Sequence, residues 1–145
     1  MSDGEGALDK YWAALKDNYR QEYSEVAADH MVFPRNTGEL IAHDSFGIIN
    51  DEHDEVIAIW LKIDNDTVTT AAFTAEECVT CTACGSIITE LVRGKTLAEA
   101  VRITPDDLVA GLDGLPEAKR HCAELAVNVM RAAVQDYNER IGQQS

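Results

Sequence analysis

The chain has 145 residues, 46% of them hydrophobic, with 12 basic side chains against 26 acidic ones and a formal net charge of -14. That length suits one globular domain burying about 68 to 70% of the surface its unfolded chain exposes, so no disulfides are needed to make up for a small core. The charge repels phosphate backbones and anionic bilayers, which argues against nucleic-acid and membrane partners, and the acidic start MSDGEGALDK with no long apolar run points to a soluble, cytoplasmic protein.

Leu8, Trp12, Leu15, Tyr19, Tyr23 and Val26 recur in steps of three or four and predict one long helix within residues 7–31, stopped by Pro34. The turn-rich FPRNTGEL leads to a short strand within His43 to Asp51 and then to the acidic loop NDEHDE. In VIAIWLKI, residues 56–63, Ile57, Ile59, Leu61 and Ile63 share one face at period two, which predicts a strand. DNDT is a hairpin turn into a second strand from Val68 to Thr74, giving an antiparallel meander.

The period then changes to that of a helix. Ile87, Ile88, Leu91 and Val92 mark one whose first turn holds cysteines and which Gly94 closes. Thr96 with Glu99 reads as a capping box, and Thr104 caps a short helix with Pro105, Asp106 and Asp107 in its first turn. Residues 117–140 form the last helix, with Cys122, Leu125, Ala126, Val129, Ala133 and Tyr137 on its inner stripe.

Three of the four cysteines, Cys78, Cys81 and Cys84, fall within seven positions. In a reducing compartment such spacing serves metal binding or redox chemistry more often than structural bridges. Cys78 and Cys122 both sit where a helix begins, and there the helix dipole favours a thiolate. Cys81 lies about 60° round the helix from Cys78 and can reach the same ion; Cys84, about 120° round, reads as core. Cys78, Cys81, Cys122 and His121 could close a four-ligand zinc site if the two helix starts meet. A ferredoxin loop would carry a further cysteine where GSII stands. His30 and His43 carry no mechanism by their context.

DHMVFPRNTGEL, DEVIAIWLKIDNDTV, CVTCTACGS, TELVRGKTLAEA, GLPEAKRHCAELA and AAVQDY, collinear from Tyr23 to Tyr137, resemble the IscU/NifU-type iron–sulfur cluster assembly scaffolds. The resemblance implies an α+β domain over residues 23–145, a three-stranded antiparallel sheet packed by helices, with residues 1–22 as an extra helical extension. It implies a carrier, not an enzyme, that takes sulfur from a cysteine desulfurase, builds a [2Fe–2S] or [4Fe–4S] cluster and passes it to apo client proteins, a transient homodimer being one arrangement for sharing it. Cys78 and Cys122 match the second and third family cysteines, and His121 the histidine that is sometimes a ligand.

The first family cysteine has no counterpart. Counting back without gaps from Cys78 puts Glu52 in its place, His53 on the glycine after it and Asp54 on the family aspartate. LPEAK also departs from the stretch that a dedicated chaperone reads in the family. The implied metal site is therefore Cys78, Cys122, Cys81, His121 and Asp54, with Cys81 supplying the missing thiolate. A zinc-binding or sulfur-accepting protein, or an adaptor that has lost its metal chemistry, are the rival readings.

Overall fold

The computed structural model describes residues 3–76 and 78–144. Met1, Ser2 and Ser145, at the ends of the expected domain bounds, and Glu77, ahead of the cysteine segment, lie outside the described residues. The elements run α1 (Asp3–Tyr19), α2 (Glu25–Val32), β1 (Ser45–Asn50), β2 (Val56–Asp64), β3 (Thr67–Glu76), α3 (Val79–Val92), α4 (Leu97–Ala100), α5 (Pro105–Gly111) and α6 (Arg120–Gln144), with a 3-10 turn at Glu117–Lys119 before α6.

Where the apolar spacing predicts one helix over residues 7–31, the structure has two. Tyr23 N–H still donates to Tyr19 O at 2.8 Å, but Ser24 turns extended and its hydroxyl accepts the Ala27 N–H at 2.9 Å, starting α2 afresh. A serine offers the backbone this local alternative to a continued helix. The break swings Tyr23 into the core, its hydroxyl 2.9 Å from the Thr80 hydroxyl at the start of α3. Lys16 reaches Asp29 at 3.3 Å and the Trp12 ring meets Phe33 at 6.1 Å, laying α1 on α2.

The sheet is the expected antiparallel meander in the order β1-β2-β3. Ile57, Ile59 and Leu61 are fully buried on its inner face. Asn65 and Asp66, both at positive φ, make the two-residue turn between β2 and β3, because short polar side chains tolerate the left-handed backbone that such a turn demands. The pairing slips at Lys62/Ile63: Lys62 faces Thr70 but Ile63 faces Val68, so Thr69 is an extra residue on β3.

Helices cover the inner face, α6 across β1 and β2 and α3 along β3. Two glycines permit that approach. A Cβ on Gly47 would lie 2.6 Å from Val129 O, and one on Gly85 would lie 2.3 Å from the Phe73 ring. Both capping boxes form, Thr96 with Glu99 and Thr104 with Asp107. The architecture is α+β, and the ends of β3, α3 and α6 meet at one end of the sheet. Among the described residues no helix is long and apolar enough to cross a membrane.

Candidate metal centre

Four side chains converge where those elements meet. Cys78 follows β3 and is the N-cap of α3, its sulfur accepting the Cys81 N–H at 3.3 Å. Cys81 lies one turn further on, and Cys122 opens α6. Glu55, the residue before β2, completes the group: one donor atom from each of Glu55, Cys78, Cys81 and Cys122 lies within 4.8 Å of all the others. Cys78 Sγ is 3.8 Å from Cys122 Sγ. Glu55 Oε2 accepts from Cys81 Sγ at 2.8 Å and from Cys122 Sγ at 3.3 Å, while Oε1 accepts from His121 Nε2 at 3.0 Å.

The cysteines do not titrate alike. Hydrogen bonds from Cys122 and Cys81 hold Cys78 far below the ordinary thiol range, against the opposing effect of burial. Its place at a helix start acts in the same direction. Cys81 and Cys122, which share protons with that thiolate, are pushed up, and Glu55 adds to the rise at Cys81. Three thiolates in contact would repel one another without a cation, which opposes ionisation of all three together. The Glu55 hydrogen bond raises His121 above the usual histidine value, burial opposing it.

Cys78, Cys81 and Cys122 are thus brought together. His121 stands just outside them, its Nε2 3.6 Å from Cys122 Sγ. The structure does not bring Asp54 into the donor set. It is an exposed turn residue at positive φ, its N–H bonded to Asp51 O at 3.1 Å, and the carboxylate at the thiols comes from the next residue, Glu55. Counting back from Cys78 without gaps passes through the hairpin with its bulge, where one residue more or fewer is easily accommodated. Glu52 is exposed and does not belong to the thiols' group. Cys84 is fully buried in the core, and burial pushes its thiol up.

Sequence reasoning missed Glu55, although a signal was present. The period-two pattern of Ile57, Ile59 and Leu61 runs back to 55, so Glu55 shares the inward face while Asp54 is out of phase. His30 and His43 are satisfied locally, by the Ser86 hydroxyl at 2.7 Å and by Leu40 O at 2.9 Å.

The family model of the NifU-like N terminal domain matches residues 22–144. The chain is 34% identical over 121 residues to the iron-sulfur cluster assembly scaffold protein IscU 1 of Archaeoglobus fulgidus, covering 83% of this chain and 79% of that protein. It is 36% identical over 125 residues to the iron-sulfur cluster assembly scaffold protein IscU of Haemophilus influenzae, covering 83% and 98%. Among solved structures, the N-terminal nitrogen-fixing NifU-like protein of Brucella abortus superposes with a TM-score of 0.64 at 17% identity, over 79% of this chain and 93% of that one, a likeness of fold.

Proposed function

The chain belongs to the NifU-like N terminal domain family, and on that premise we propose that it is a scaffold that binds iron, assembles an iron–sulfur cluster and hands it to client proteins. The observation that carries this is the convergence of three thiols and a carboxylate within 4.8 Å from three separate parts of the chain. Cys78, Cys81 and Cys122 are the ligating thiolates and Glu55 the oxygen donor. Cys81 supplies the third sulfur that the family draws from the position ahead of β2. Thiolates suit iron and sulfide, whereas a carboxylate is a harder ligand, so the Glu55 bond is the weak one and the one that opens on release. Half-buried Cys78 and nearby exposed Val79 put this end of the fold within reach of a partner. A cysteine desulfurase supplies sulfur there, and apo clients collect the product. The reading has the protein act in the cytoplasm without turning over a substrate of its own, residues 1–22 being an extension on the scaffold domain of residues 23–145.

A second reading has one observation in its favour. Four donors around one tetrahedral zinc with bonds of about 2.3 Å to sulfur are about 3.8 Å apart. That is the separation of the Cys78 and Cys122 sulfurs. The arrangement fits a single ion, zinc or ferrous iron, and a cluster needs the donors to move apart over separate irons. Anaerobic reconstitution with ferrous iron and sulfide tests both readings. A scaffold develops visible charge-transfer absorption that Cys78→Ala abolishes. A colourless protein retaining one zinc that iron does not displace overturns the scaffold reading in favour of the zinc one.

A further inference from the structure

Sulfur handed on as a persulfide is zero-valent, whereas the bridging sulfur of a cluster is sulfide, so each sulfur the site receives needs two electrons. Two thiols passing to one disulfide supply that number. The first turn of α3 holds such a pair. Cys78 is the N-cap and Cys81 stands one turn on, in the order Cys78, Val79, Thr80, Cys81, with the two sulfurs within 4.8 Å of each other. The backbone fixes their relation, because Cys81 N–H donates to Cys78 Sγ at 3.3 Å. A C-x-x-C pair at a helix start is an arrangement that disulfide oxidoreductases use.

Exposure gives the two thiols different tasks. Cys78 is partly exposed, while Cys81 and Cys122 are fully buried. A sulfur donor from outside therefore meets Cys78 first. Behind it, the Cys81 thiol donates to Glu55 Oε2 at 2.8 Å, so the proton it must lose has an acceptor in place. Cys122 Sγ stands 3.8 Å from Cys78 Sγ, but it belongs to α6 and lies farther from the same carboxylate oxygen, at 3.3 Å. A bond to Cys81 closes within one turn of one helix.

Resting on the scaffold reading above, we propose that Cys78 and Cys81 act, before metal binds, as a dithiol that reduces persulfide sulfur to sulfide. The Cys78 thiolate attacks the outer sulfur of the donor's persulfide; that S–S bond breaks, the donor leaves as a thiolate and the sulfur stays as a persulfide on Cys78. Cys81 then attacks Cys78 Sγ while its proton passes to Glu55 Oε2. The new bond joins Cys78 to Cys81, and the outer sulfur leaves as hydrosulfide with the electron pair of the broken bond. One sulfur is reduced by two electrons, and two thiols are oxidised to one disulfide. An external dithiol restores the pair by exchange, after which both sulfurs are free to ligate metal. The sulfide is a building block of the centre, so the step belongs to assembly.

The test treats metal-free, fully reduced protein with an equivalent of glutathione persulfide, traps and measures the sulfide, and weighs the cysteine peptides. Wild type releases about one sulfide per chain and gains a Cys78–Cys81 disulfide. Cys81→Ser releases sulfide at least roughly 10-fold more slowly and keeps the extra sulfur on Cys78, because glutathione freed in the first step is a poor substitute for a thiol held beside the persulfide. Glu55→Gln also slows release and accumulates the Cys78 persulfide, while Cys84→Ala, which removes the third cysteine of the same segment, behaves as wild type. No sulfide from wild type, unchanged release in Cys81→Ser, or a disulfide joining Cys78 to Cys122 overturns the proposal. Reconstitution with ferrous iron and inorganic sulfide bypasses the dithiol and scores the scaffold reading separately. Colour without persulfide reduction overturns only this inference, and persulfide reduction by protein that stays colourless overturns only the scaffold reading.

Discussion

The Cys81 thiol donates to the Glu55 carboxylate across 2.8 Å, joining the first turn of α3 to the residue that enters β2. This contact ties the thiol absent from the usual family pattern to a carboxylate that no cysteine spacing could reveal. In the metal-free protein it satisfies both groups; on the scaffold reading proposed above, both would become ligands and the thiol proton would leave.

Loss of either partner should therefore weaken metal binding while the fold persists. Cys81→Ala and Glu55→Gln are each expected to lower iron or zinc affinity by roughly 10-fold or more, since even residues that only support a ligand cost that much. Titration against a chromophoric chelator measures it. Unchanged affinity in Cys81→Ala would remove that residue from the site.

Cys84 is the control. It is fully buried and outside the donor group, so Cys84→Ala should keep metal and colour while costing about 1–2 kcal/mol of stability from the space left behind. A urea unfolding midpoint and a metal count on the same sample separate the two effects.

Gly47 sits where α6 crosses β1, and an added Cβ would lie 2.6 Å from Val129 O and 2.8 Å from Ala133 N. Backbone on both sides has no rotamer to change, so Gly47→Ala should cost about 3 kcal/mol. Because α6 carries Cys122, the variant should also bind metal less tightly. Circular dichroism melting with and without added zinc reads both.

His30 is buried, and burial, aided by the Arg35 charge, holds its pKa below the ordinary histidine value, with Glu90 and Asp29 opposing. The Ser86 hydroxyl accepts the Arg35 N–H and pairs with His30 Nδ1 at 2.7 Å, which anchors the ring in the core. A depressed folded-state pKa contributes stability that is present above the unfolded value of about 6.5 and is lost as pH falls through the folded value. His121 is shifted upward and acts with the opposite sign: its stabilisation is full below about 6.5 and lost above its folded value. The comparison of wild type with His30→Gln isolates His30. Between pH 7.5 and 5.5 wild type should lose on the order of 1 kcal/mol more than the variant, by urea midpoints.

The sequence by itself determined the elements, because their signals are local. Inward isoleucines at period two, the Asn65–Asp66 turn and the Thr96 and Thr104 caps each act over a few residues, and each appears where its spacing places it. The first helix broke for an equally local reason, the Ser24 cap, which outcompetes an apolar stripe that merely permits continuation. What only the tertiary structure decided is that an acid meets the thiols at all: the β2 alternation marks Glu55 as inward but not what it faces there. Asp54 and Glu55 are neighbours of like charge; a strand turns alternate side chains to opposite faces, and the phase in which β2 enters the sheet sends Glu55 inward and leaves Asp54 exposed. The His53–His121 stack depends in the same way on a packing decision, since it joins a loop ahead of β2 to the start of α6 across 68 residues that local spacing does not relate.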